Sequence, residues 1–90
     1  TLREEHQKWI YNFQGKIYLE LEAYHLATSA YDNALELNLK NYGIYHPSVV
    51  SNYCDKANVL FQQRDYQKAL EVIQQATNSF HKDFNSSFFS

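Results

Sequence analysis

The segments Tyr24-His25-Leu26-Ala27 and Tyr66-Gln67-Lys68-Ala69 stand 42 residues apart. The same offset pairs Tyr11 with Tyr53, Gly15 with Ala57, Tyr31 with Ile73 and Ala34 with Ala76. Lys40 falls on Lys82 and Tyr42 on Phe84. Gly43 falls on Asn85, the other residue type that tolerates a left-handed helix end. Large residues meet large ones and small meet small. All helices share a period, but agreement over this many positions marks an internal repeat, and a repeat fixes the architecture. The 90 residues read as two units of 42, about 4–45 and 46–87, within one domain over 1–90. The 6 residues left over look like the start of a third unit.

Each unit reads as two helices. From Leu2 to Glu20 the apolar spacings are three, four and seven, as in Ile10, Phe13 and Ile17, which an amphipathic helix requires. Tyr24, Ala27, Tyr31, Ala34, Leu35 and Leu39 continue that period in a second helix. Tyr42-Gly43 ends it, because glycine accepts positive φ without strain. Pro47 suits the first turn of a third helix, where its missing N–H is not needed, and His46 before it suits the cap. That helix carries Val49, Val50, Tyr53, Ala57, Leu60 and Phe61. Gln63-Arg64-Asp65 interrupts it, with Asp65 as N-cap of the fourth. The fourth shows Tyr66, Ala69, Leu70, Val72, Ile73, Ala76 and Phe80, and is expected to fray near Phe84-Asn85. The short connections within each unit make its two helices antiparallel. The expected fold is all-α.

Composition removes other classes. Eight Lys and Arg against ten Asp and Glu leave a formal charge of −2, so no basic nucleic-acid arm and no acidic tail is present. Two glycines 28 residues apart exclude a P-loop, a GxGxxG turn and a GxSxG elbow, which need clustered glycines. The lone Cys54 cannot close an internal disulfide, which points away from a secreted, stapled mini-protein and toward an intracellular, cytoplasmic setting. It reads as a groove or half-buried thiol. No run of about 18 apolar residues and no signal segment is present, so no membrane span is expected. His6, His25, His46 and His81 lie on separate segments, and no two are four apart. Glu4 and Glu5 favour the helix dipole, and Glu20 and Glu22 mark a helix end and a turn. No catalytic group, metal site or cofactor is expected. A chain opening on Thr1 reads as an excised piece of a longer protein. Eight Tyr, six Phe and one Trp are a heavy aromatic load for 90 residues. Some of it should fill the seam between units, and some should lie bare at the two ends.

The pattern resembles the tetratricopeptide repeat, W-x2-L-G-x2-Y…A-x3-F…P. Tyr11, Gly15, Tyr18, Tyr24, Ala27, Tyr31 and Ala34 match in the first half. Tyr53, Ala57, Leu60, Tyr66, Ala69, Ile73 and Ala76 match in the second. Small residues let the helix pair approach closely, and large ones fill the groove between pairs. The 42-residue period, with Gly43, His46, Pro47 and Val49 between units, is similar to the kinesin-light-chain type. Gln14 and Lys56 depart from it where a leucine is usual, and Glu22-Ala23 lacks the usual glycine. The resemblance implies an α-solenoid of stacked helix-turn-helix pairs that acts as a protein–protein interaction scaffold without catalysis.

It further implies a concave face lined by the first helix of each pair, where an extended peptide or partner protein binds. The positions on that face are Trp9, Asn12, Phe13, Lys16 and Glu20, then Ser51, Cys54, Asp55, Asn58 and Gln62. Asn12, Asn58 and Gln62 suit a peptide backbone. The basic clamp that some members use for acidic tails is not matched, since Asn12, Lys16 and Asp55 stand at its positions. The asparagine by which light-chain repeats hold cargo is replaced by Phe13 and Asp55. Trp9, Phe80, Phe84 and Phe88-Phe89 suit an adjoining repeat, a partner or self-association through the terminal helices. The alternative role is an accessory regulatory or targeting module of a larger enzyme or motor complex. An RNA-binding helical repeat fits less well, because such repeats run near ~35 residues with basic grooves.

Overall fold

A computed structural model of the chain describes the backbone of residues 2–88 and the side chains of residues 2–77. The expectations placed on the side chains of Phe80, His81, Lys82, Phe84, Asn85, Phe88 and Phe89 lie outside the described residues. Four helices are present: α1 Leu2–Glu20, α2 Tyr24–Tyr42, α3 Pro47–Gln62 and α4 Tyr66–Phe88. α1 packs on α2, α2 on α3 and α3 on α4, giving a slab of 45 × 36 × 12 Å. This is the all-α stack of helical hairpins that the repeat implied.

The 42-residue period reappears in the backbone. In the first turn Leu21, Glu22 and Ala23 donate N–H to Ile17, Leu19 and Tyr18, and Ala27 donates to Ala23. In the second, Gln63, Arg64 and Asp65 donate to Val59, Phe61 and Leu60, and Ala69 donates to Asp65. Every bond has its counterpart 42 residues on. Both turns are Schellman caps, and each places a non-glycine residue in the left-handed region, Glu22 at φ 59° and Arg64 at φ 67°. Between the units Gly43 takes φ 81° and donates its N–H to Leu39. His46 stacks on Tyr42 at 4.1 Å, and its Nδ1 accepts from the N–H of Ser48 at 3.1 Å. His46 therefore caps α3 ahead of Pro47, as expected. At the next helix, Asp65 accepts weakly from the N–H of Lys68 at 3.4 Å.

The hairpins close where small residues meet large ones. Gly15 is buried, and a Cβ at that position would lie 2.6 Å from the Tyr31 ring. In the second unit the pair is Ala57 with Ile73, so one added methyl is matched by a smaller partner. The core gathers Ala27, Tyr31 and Val59, with Tyr18, Leu19 and Tyr24 around them. Val59 belongs to α3 and is fully buried in the groove of the first hairpin. It lies outside the stripe read from the sequence, because it serves the seam between units rather than the α3–α4 contact. Burial pushes the Tyr31 hydroxyl up to about 12.

One expectation is corrected. α4 continues through Phe84 and Asn85 to Phe88, because no glycine or proline follows Pro47 to end it. Of the two readings of Cys54, groove or half-buried, the structure has the first: the thiol is exposed and lines the open hollow of α3 and α4.

Candidate functional site

α2 packs closely on both α1 and α3, and α1 and α3 stand farther apart, meeting through side chains such as Asn12 and Asn52. The separation leaves a groove of about 230 Å³, lined by Trp9 and Asn12 from α1 and by Ser51 and Asp55 from α3. Asn38 of α2 and Asn52 of α3 form its floor. Both are 2% exposed and sit on helix faces that otherwise carry apolar residues.

The three asparagines form a one-way relay. Asn38 Nδ2 donates to Asn52 Oδ1, and Asn52 Nδ2 donates to Asn12 Oδ1 at 3.0 Å. The relay spans three helices and fixes the Asn12 side chain, leaving its amino group as a donor at the open end. At the closed end Asn38 Oδ1 is buried and has no hydrogen-bond donor among the described residues. A buried unpaired acceptor costs about 1–3 kcal/mol. The floor thus presents the groove with a pre-oriented amide donor on Asn12.

Asp55 gives the groove its charge. Burial raises its carboxyl above the usual range, and Lys16 pulls partly the other way. No ion pair forms on Asp55 among the described residues. Two other lysines are engaged elsewhere: Lys8 pairs with Glu5 at 3.0 Å, and Lys56 with Asp32 at 2.8 Å. Trp9 stands at the rim, 66% exposed.

The ten positions expected on one face are therefore divided. Trp9, Asn12, Ser51 and Asp55 meet in the groove. Glu20, Asn58 and Gln62 line a second hollow of about 290 Å³ beside the first turn. Cys54 opens on the apolar side of α3 and α4, which Asn58 also reaches. Phe13 and Lys16 are exposed on α1 and line none of these hollows. Asn38 and Asn52 were not singled out in the sequence. The available signal was an amide on an apolar stripe: Asn38 follows Tyr31 and Ala34 by seven and four residues.

The other polar contacts brace the hairpin. Glu4 accepts from Lys40 at 2.8 Å and Glu5 from the Tyr42 hydroxyl at 2.6 Å, joining the start of α1 to the end of α2. These bonds hold both carboxyls below their usual range. No described helix is long and apolar enough to cross a membrane.

A family model described as tetratricopeptide repeat matches residues 8–80 of the chain. No curated protein and no solved structure gives a significant match.

Proposed function

The chain belongs to the tetratricopeptide repeat family, whose repeats generally mediate protein–protein interaction, and from that premise we propose that it binds an extended segment of a partner protein in the α1–α3 groove. The segment carries a basic side chain. The observation behind this reading is the Asn38–Asn52–Asn12 relay beside Asp55. Asn12 offers an amide to a peptide carbonyl. Asp55, partly desolvated and unpaired, favours an incoming Lys or Arg. The exposed Trp9 ring offers a face on which a guanidinium stacks. The role is that of a scaffold, and no step of catalysis is assigned to it.

The test is selection of peptides from a displayed random library, followed by titration against variants. Selected peptides are expected to be rich in Arg or Lys. Asn12→Ala and Asp55→Asn should each weaken them about tenfold, the order expected for one hydrogen bond to a charged or buried partner. Asn58→Ala, in the second hollow, should change little for a short peptide. Affinities unchanged in both Asn12→Ala and Asp55→Asn would remove the groove from the account.

A further inference from the structure

We infer that copies of this chain stack head to tail, α1 of one copy seating in the open α3–α4 groove of the next, so that the internal seam between units is repeated between molecules. The internal seam is the template. There Val59 of α3 is buried among Leu19, Tyr24, Ala27 and Tyr31 of the first hairpin. Moving that socket by 42 residues gives Phe61, Tyr66, Ala69 and Ile73. These four residues line an open apolar hollow of about 410 Å³ on the second hairpin. Phe61 is 57% exposed, and Leu70 on the same wall 65%. The socket is built, and no described side chain fills it.

The plug is also present. The residue 42 before Val59 is Ile17, which is 52% exposed on α1. The residue 42 before Asn52 is Ile10, likewise exposed. α1 thus presents two bare branched apolar residues at the positions by which α3 enters the first hairpin. The chemistry of the two seams differs in a matched way. At the internal seam Asn52 meets Asn12, amide to amide. At the open seam Ile10 would meet Cys54, which holds the place of Asn12, apolar to apolar. An α1 helix entering the internal socket would put Ile10 against Asn12 and Asn38 and leave those amides unpaired, which costs stability. The asparagines keep α3 in the internal seam, and the isoleucines direct α1 to the outer one. Because plug and socket are different surfaces, the contact is heterologous and does not close at two copies unless the rotation makes a ring.

Sedimentation velocity from micromolar to millimolar concentration tests this. The weight-average mass should climb past twice the 10.7 kDa of one chain. Ile17→Lys removes the plug and Phe61→Lys the socket; each variant alone should remain a monomer. Mixed in equal amounts they should form a dimer and stop there, since one intact plug meets one intact socket. Leu70→Lys serves as a second socket variant, and far-UV circular dichroism checks that helicity is unchanged in all three. A wild-type chain that stays monomeric throughout leaves the hollow to another occupant and overturns the inference. So does self-association of Ile17→Lys alone, which indicates a symmetric contact between sockets. A 1:1 mixture that stays monomeric overturns it too.

Discussion

At the residue scale, Gly15 and Tyr31 decide how closely the first hairpin closes. The ring occupies the space of a Cβ, so Gly15→Ala drives a methyl into it. Overpacking of this kind costs about 1–3 kcal/mol, measurable by urea denaturation. Tyr31→Ile in the same chain should recover most of that loss, because Ala with Ile is the pair the second unit already uses. A loss that is simply additive would contradict the direct contact. Asp55 yields a second expectation. Its carboxyl titrates higher in the folded chain than in the unfolded one. The native state therefore holds that proton more tightly, and stability falls as pH rises from about 3.8 through the raised folded value. Asp55→Asn should remove this fall, so the stability difference between variant and wild type grows in the variant's favour across that window. Tyr31 behaves alike at high pH: stability should fall between pH 10 and about 12, and Tyr31→Phe should abolish the fall.

At the scale of elements, the two Schellman turns carry strain at one shared position. Glu22 and Arg64 are left-handed where glycine would be relaxed. The left-handed conformation costs an ordinary residue roughly 1–2 kcal/mol. Glu22→Gly and Arg64→Gly should each raise unfolding stability by about 1 kcal/mol, less the entropy glycine adds to the unfolded chain. The turns share no partner, so the two gains should add within about 0.5 kcal/mol in the double variant. The helices and turns were legible in the sequence because their signals are local: Gly43, Pro47 and Asp65 each act on the residues beside them. The end of α4 was not, because an asparagine permits a cap without requiring one, and α4 passes through Asn85. The seam was legible only in part. Its large aromatic residues stood out, whereas Val59 looked like any surface valine until the first hairpin was placed against it.

At the scale of the whole molecule, the two helical hairpins make one seam. The seam holds the groove, and the groove is where the sequence was least informative. Asn38 and Asn52 are distant in sequence and ordinary in type; they matter because α2 and α3 bring them together under Asn12. Trp9, Asn12, Ser51 and Asp55 were on the expected face, but that face proved to be two separate hollows, with Glu20, Asn58 and Gln62 in the other. The two hollows leave room for a longer segment to reach both. The reading of the groove is tested most directly by nuclear magnetic resonance with a 15N-labelled chain and a selected basic peptide. The account predicts that the largest shifts fall on the Trp9 indole N–H and the side-chain amides of Asn12, Asn38 and Asn52. Shifts confined to Phe61, Tyr66 and Leu70 on the opposite face, with those amides unmoved, would contradict it.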